Sequence, residues 1–183
     1  VTVPDGKAAL INIVNRKVDG EDVFLFRQPR GNPYRAVMIR NGNASALESG
    51  PITLYIDGTF AGEGFLGRIN KGATTFVPYA QESGFKVNLR NTARTTEARL
   101  VKIAAGKIHI EARRTRTTVI KVSSERDKPS LAYVKVRLKR GMELKNPPKE
   151  MVKSGHNVFV AVRVPKKGQG TATLVEESPI KSS

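Results

Sequence analysis

The sequence contains no cysteine and only two histidines in 183 residues. Without cysteine there is no disulfide framework, thiolate nucleophile or cysteine-ligated zinc, but the cell compartment stays open, because an exported protein can lack disulfides. No stretch approaches the roughly 18 apolar residues of a membrane helix, so no membrane span is predicted. The chain begins at Val1 without a charged-then-apolar leader, so we expect a processed or trimmed piece whose targeting segment lay upstream.

Charge and aromatic content divide the chain. The net charge is +16. Residues 1–94 have 12 basic and 8 acidic residues, a net of +4, whereas residues 95–183 have 20 and 8, a net of +12. Only Tyr133 and Phe159, of four tyrosines and seven phenylalanines, follow residue 94. We therefore predict an N-terminal β unit at 1–94 and a basic C-terminal β-sandwich unit at 95–183, with the division in the polar stretch Asn91–Thr96. One continuous sandwich would give the same pattern.

The hydrophobic pattern has a period of two, which is typical of β-strands. Leu131–Leu138 alternates apolar and polar residues and predicts a half-buried strand, whereas Val158–Val164 is apolar on both faces and predicts a central one. The remaining predicted strands are Ala8–Val14, Val23–Arg27, Tyr34–Arg40, Ile52–Asp57, Thr74–Tyr79, Phe85–Asn91, Ala98–Ile103, Lys107–Ala112, Thr117–Ser123 and Thr171–Glu176. The sequence predicts an all-β fold, a β-sandwich of antiparallel strands that forms either one unit or two packed β units.

Turn residues separate the strands. Asp57-Gly58 predicts a tight hairpin because both residues tolerate positive φ. Hairpins are also predicted at Ala104–Lys107 and Lys166–Gly170, and Pro147-Pro148 predicts a loop, because proline has no amide hydrogen for a sheet. The best helical candidate, Lys149–Lys153, is too short to be stable alone. The Ser/Lys-rich end, Ser178–Ser183, is predicted to fray.

Nothing in the sequence indicates catalysis or metal binding. His109 alternates with apolar residues, His156 follows a glycine, and no Gly-x-Ser-x-Gly motif is present. The two histidines lack the local spacing of metal ligands, and no calcium-loop pattern occurs. Gly58, Gly62 and Gly64 superficially resemble part of a phosphate loop, but no Gly-Lys-Ser/Thr follows, which favours strand bends and bulges. We predict a non-enzymatic protein with no catalytic residues, metal or cofactor.

Basic residues give the one candidate binding site. Positive side chains cluster in the strand region that follows the predicted hairpin at Ala104–Lys107 and at the end of Leu131–Leu138. If these strand ends were neighbours, they would form a polyanion patch. The basic half has few aromatics for base stacking and no helix to read a groove, so specific nucleic-acid binding is disfavoured relative to another polyanion or to simple surface charge. The candidate residues are Arg113, Arg114, Arg116, Lys121, Arg137, Lys139 and Arg140.

One stretch carries a family resemblance. The run from Ile52 to Leu66, with Tyr55-Ile56-Asp57-Gly58 at its turn and Gly62-Glu63 beyond it, resembles the hairpin signature of a C-terminal β domain of unknown function in bacterial mucoidy inhibitor A-type proteins. The later order is similar: a strand at Thr117–Ser123, Glu143-Leu144 followed by prolines, a strand containing Phe159 and a closing strand near Leu174. The resemblance covers roughly residues 35–177.

The resemblance implies an all-β fold, bacterial origin and export to the periplasm or cell surface, and it supplies no catalytic residues. The first functional hypothesis is therefore a non-enzymatic interaction or structural module of an exported bacterial protein, with an anionic envelope polymer or another protein as partner. The alternative is a polyanion or nucleic-acid binder acting through the basic C-terminal half.

Overall fold

The computed structural model describes residues 18–104 and 107–182, and side chains within 18–95 and 113–178. Within these ranges the chain forms strands and no helix, which confirms the all-β prediction. The predicted strand Ala8–Val14 and residues 105–106 of the predicted turn lie outside the described residues. The strands are β1 Asp19–Phe26, β2 Tyr34–Arg40, β3 Gly50–Ile56, β4 Thr59–Leu66, β5 Thr74–Gln81, β6 Phe85–Ala104, β7 Lys107–Ser124, β8 Ser130–Arg137, β9 Glu143–Lys145, β10 Met151–Ser154, β11 Asn157–Val164 and β12 Gln169–Ser182.

The strands form three sheets, ordered β10-β11-β8-β1-β2-β5, β6-β7-β12-β9 and β3-β4. All described pairs are antiparallel except β1 with β8, which is parallel. Strands β6 and β7 each join two predicted strands. The polar stretch Asn91–Thr96, where the division between two units is predicted, continues β6 opposite Thr118–Arg113 of β7, and its threonines suit an extended backbone.

The main core lies between the six-stranded and four-stranded sheets. Alternate residues of β1, β8 and β11 pack against Phe85, Ile120, Val122 and Leu174 of the opposite sheet. The prediction that Val158–Val164 forms a central strand is confirmed, since β11 lies between β10 and β8. The hairpin predicted at Lys166–Gly170 was wrong: β11 and β12 belong to different sheets, and the segment forms a corner of the sandwich.

The six-stranded sheet curls so that its second face also holds a core. Phe76 of β5 lies with its ring centroid 4.9 Å from both Tyr133 of β8 and Phe159 of β11. In a flat sheet, β5 and β11 would be four strand spacings apart, about 19 Å. The curl buries Tyr133, so β8 is covered on both faces rather than half-buried as predicted.

The β3–β4 hairpin packs on the convex face of β2 and β5. Asp57 and Gly58 form its predicted turn with φ values of 50° and 76°. A side chain at Gly64 would place its Cβ 2.8 Å from Val77 Cγ1, so this glycine allows β4 to lie directly on β5. The opposite face of the hairpin leaves Tyr55, Phe60 and Phe65 exposed.

The two halves of the chain share one sheet. Strand β6 passes through residue 94, and β1, β2 and β5 join β8, β10 and β11 in the six-stranded sheet. Residue 94 therefore marks a change in charge and aromatic content rather than a break between sheets.

Two local predictions differ from the structure. The end predicted to fray continues β12, whose Ser182 is paired with Ile110 of β7. The best helical candidate, Lys149–Lys153, forms no helix, and its last three residues belong to β10, where Met151 and Val152 pair with Val160 and Phe159. Across the described ranges, no helix is long and apolar enough to span a bilayer.

Candidate polyanion-binding site

The parallel pairing of β1 and β8 brings basic residues from distant parts of the chain to one end of the sandwich. Phe26 is paired with Val134, so the next residues, Arg27 and Lys135, stand level where β1 ends. The carboxyl ends of parallel strands lie at the same edge of a sheet. Arg137 follows two residues along β8, on the same side of that strand as Lys135.

A crevice of about 540 Å³ opens between the two sheets at this end. Two further crevices adjoin it. One, of about 510 Å³, shares Arg27, Arg30 and Lys135 with it, and the other, of about 520 Å³, shares Arg116 and Arg137. We call this surface the basic end; its basic side chains are Arg27, Arg30, Arg116, Lys135, Arg137, Lys139 and Arg140.

Among the described side chains, no carboxylate lines any of the three crevices. Within the part of the chain whose side chains are described, Arg116 is the one basic-end residue with an acidic partner. A concave surface lined by charges of one sign focuses the electrostatic field and attracts counter-ions. The basic end is therefore a site of strong positive potential.

The buried carboxylate of Glu176 connects the two sides of the sandwich at the basic end. Its side chain is 1% exposed; Oε2 accepts a hydrogen bond from Arg116 Nη1 at 3.0 Å, and Oε1 accepts one from the Lys139 backbone N–H at 2.7 Å. The carboxylate thus joins β12, β7 and the segment after β8. It fixes Arg116, whereas the neighbouring basic side chains have no ion-pair partner among the described side chains.

Polar amides accompany the charges in the largest crevice. Asn88, Asn91 and Asn157 line it together with Val87 and Leu89. The amide oxygen of Asn91 accepts a hydrogen bond from Thr118 Oγ1 at 2.7 Å, so its NH2 group is the part that can donate to a ligand. The crevice therefore offers both charged and neutral hydrogen-bond donors to an oxygen-rich anion.

The structure brings together four of the seven sequence-predicted residues. Arg116, Arg137, Lys139 and Arg140 line one crevice, although β7 and β8 belong to different sheets and meet across the core rather than side by side. The strand ends are not neighbours within one sheet, but the sandwich still brings these four side chains together.

The other three predicted residues lie elsewhere. Arg113 and Lys121 project from the opposite face of β7, because side chains alternate along a strand and Thr118, Ile120 and Val122 face the core. Arg113 lies 3.7 Å from Glu177 in an ion pair. Arg114 is exposed and lines none of the three crevices.

Sequence reasoning missed Arg27, Arg30 and Lys135. The first two lie in the less basic half, in the segment that follows β1, and nothing local indicates that β1 pairs with a strand about 100 residues later. Lys135 lies on the polar side of the alternating pattern in Leu131–Leu138, the same side as Arg137, and this could have indicated that the two side chains share one face.

His156 does not form a catalytic group with the described side chains around it. His156 lines a crevice with Leu138 and four basic residues, and no carboxylate or hydroxyl side chain shares that lining. The side chain of His109 lies outside the described residues. No group of three His, Cys, Asp or Glu residues suited to a metal ion occurs in the described part of the chain.

A second polar cluster joins β1, β2 and β5. Asp22 accepts hydrogen bonds from Tyr79 Oη at 2.7 Å and from Arg35 Nη2 at 3.0 Å. Burial, followed by the hydrogen bond to Asp22, raises the pKa of Tyr79 above its ordinary value of 10.0. The hydrogen bond to Asp22 likewise raises the pKa of Arg35. A phenol held in its neutral form is a structural donor rather than a nucleophile.

Comparison with known proteins gives no match: no family model, curated protein or solved structure is similar to the chain. The hairpin that carries the resemblance to the mucoidy inhibitor A-type domain exists as β3–β4. Membership of that family stays a prediction.

Proposed function

We propose that the protein is a non-enzymatic binding module for an acidic polysaccharide, which it holds at the basic end. The observation that carries this proposal is the convergence of seven basic side chains on three adjoining crevices whose described lining residues include no carboxylate. An arginine guanidinium can bind a carboxylate through two parallel hydrogen bonds, and the asparagine amides can donate to sugar hydroxyls.

The shape of the site favours a polymer over a single small anion. The crevices share residues, so one chain could pass from the Arg27 side to the Arg140 side without leaving the positive surface. Contacts of this kind are individually weak at an exposed surface and gain strength by repetition along the ligand.

Nucleic acid fits less well. The largest crevice has no aromatic side chain in its lining, whereas single-strand binders stack bases on aromatic rings. Tyr34 lines an adjoining crevice, but the Arg27 guanidinium carbon lies over its ring, 5.9 Å from the ring centroid, where a base would stack. Within the described ranges there is also no helix to enter a major groove.

Binding at low salt tests the proposal. A polyuronate, a neutral polysaccharide of equal length, and single- and double-stranded DNA would be titrated against the protein by calorimetry. We expect the polyuronate to bind more tightly than the other three. Tighter binding of either DNA would reject the polysaccharide assignment, and equal binding of the neutral polymer would reject an electrostatic site.

A charge-matched pair of variants locates the site. Arg137→Gln/Arg140→Gln removes two charges from the basic end and should weaken polyuronate binding on the order of tenfold, as expected for two ion contacts of about 0.7 kcal/mol each. Arg113→Gln/Lys121→Gln removes two charges from the opposite face of β7 and should change the affinity for polyuronate less than twofold. Equal losses in the two variants would mean that overall charge, rather than this site, binds the polymer.

The family resemblance gives this proposal a cellular setting. A protein exported by a bacterium would meet acidic polysaccharide in the periplasm or at the cell surface. Fractionation of the source cells with an antibody against this domain should recover the protein there. Recovery only from the cytoplasm would remove the envelope polymer as the natural ligand.

A further inference from the structure

A separate cavity of about 430 Å³ opens on the concave face of the six-stranded sheet. It lies where the sheet curls, near the edge strands β5 and β10, which terminate the hydrogen-bonded order without pairing to each other. Its lining is mixed, and the apolar part consists of Leu25, Phe65, Phe76, Pro78, Val152 and Phe159. The volume is within the range of small-molecule sites, about 300–1,000 Å³.

The mouth of this cavity is positive. Arg27 and Lys135 line it, with hydroxyl groups from Thr74, Thr75 and Ser154, and its described lining residues include no carboxylate. Neither basic side chain has an acidic partner among the described side chains. The cavity lining thus combines apolar side chains with two cations that have no acidic partner among the described side chains.

Phe65 of the β3–β4 hairpin also lines the cavity, beside residues of the edge strand β5. The residue is nevertheless 66% exposed. An apolar ligand that covers this exposed ring removes apolar surface from water, which favours binding. Phe60, on the same hairpin, is similarly exposed at 58% but lies outside this lining, so it supplies a matched control.

We propose that this cavity binds a small anionic amphiphile, a molecule with a carboxylate or phosphate group and an alkyl or aryl portion. The apolar portion lies against Phe76 and Phe159, and the anionic group meets Arg27 and Lys135. This site differs from the acidic-polymer site in its ligand and in its face of the sheet, although the two share Arg27 and Lys135 at their rims.

Calorimetric titration with n-alkyl carboxylates from butanoate to decanoate, below their micelle concentrations, tests the proposal. Affinity should rise about fourfold for each added methylene and then level off when the cavity is full. The alcohol of equal length should bind on the order of tenfold more weakly, because it gives the cations no charge to pair with. An alkyl phosphate series shows which of the two anionic groups the mouth prefers.

Two variants separate the parts of the cavity. Phe65→Ala should weaken decanoate binding on the order of tenfold, whereas Phe60→Ala should change it less than twofold. Lys135→Gln should weaken the carboxylate but leave the alcohol unchanged. Near-ultraviolet circular dichroism would confirm that each variant keeps the native packing.

The result that would overturn the cavity is an affinity independent of chain length, or the same loss in Phe60→Ala as in Phe65→Ala. Either result would indicate binding to surface charge or to the exposed hairpin in general. Phe65→Ala should leave polyuronate binding unchanged. The cavity and the polymer site can therefore fail independently.

Discussion

Removal of the Glu176 carboxylate should lower the free energy of unfolding by more than the loss of a surface ion pair would. In Glu176→Ala, the backbone N–H of Lys139 loses an acceptor 2.7 Å away, and Arg116 loses its partner at 3.0 Å. The carboxylate has a fully buried position, whereas the Arg116 side chain is 23% exposed. The two losses therefore have different costs.

The larger cost comes from the backbone. A donor left without an acceptor away from water costs about 1–3 kcal/mol. Arg116 can be hydrated from the crevice, so its lost ion pair is worth about 1 kcal/mol or less. The deleted methylene adds about 0.8 kcal/mol. Release of the carboxylate from its buried position offsets part of this sum, and we expect the free energy of unfolding to fall by about 2–4 kcal/mol.

Urea unfolding followed by circular dichroism measures this change, with Glu177→Ala as the control. Glu177 is the next residue on β12, and its partners Arg113 and Lys145 are largely exposed at 62% and 51%. Its removal should cost less than about 1 kcal/mol. Glu176→Gln should recover part of the loss, because an amide oxygen can still accept from Lys139. Equal effects of the two alanine substitutions would refute the buried role of Glu176.

Two further substitutions test the fold around the six-stranded sheet. Because the folded protein keeps the Tyr79 phenol proton above pH 10, where the unfolded chain releases it, the free energy of unfolding should fall as the pH rises above about 10. Tyr79→Phe should make that fall shallower in urea titrations from pH 8 to 11, and an unchanged slope would contradict the assignment. Gly64→Ala forces a methyl group against Val77 and should lower stability by about 1–3 kcal/mol in thermal unfolding. Gly67→Ala, with open space at its Cβ, should have little effect, and similar losses at the two glycines would remove the close-packing argument.

Strand content was predictable because burial leaves a period of two in the sequence. The clearest example is β11, where Val158, Val160, Val162 and Val164 face the main core while Phe159 faces the other one. The Asp57-Gly58 turn was equally legible, since few residues tolerate two successive positive φ angles. Both signals are local, and they depend on no strand partner.

Partner choice was not predictable. Nothing in the sequence of β11 and β12 distinguishes a hairpin from a corner between two sheets, and the parallel pairing of β1 with β8 joins residues about 100 positions apart. These pairings decide which basic residues meet. As a result, Arg116 and Arg137 were identified from sequence, whereas Arg27 joined the site only through its register with Lys135.

The curl of the six-stranded sheet also left little trace. It places Phe76 against Phe159 across strands that are not neighbours, and no pattern within β5 indicates that contact. The cavity on the concave face depends on the curl, so its apolar residues looked like ordinary core positions in the sequence.

The salt dependence of polyuronate binding tests the central claim most directly. Association constants for the wild-type protein and for Arg137→Gln/Arg140→Gln would be measured from 20 to 300 mM salt. If these side chains contact the polymer, the logarithm of the association constant should fall with the logarithm of salt concentration, and less steeply in the variant, because fewer ions are exchanged on binding. The same slope in both proteins, or no salt dependence, would contradict a polyanion site at the basic end.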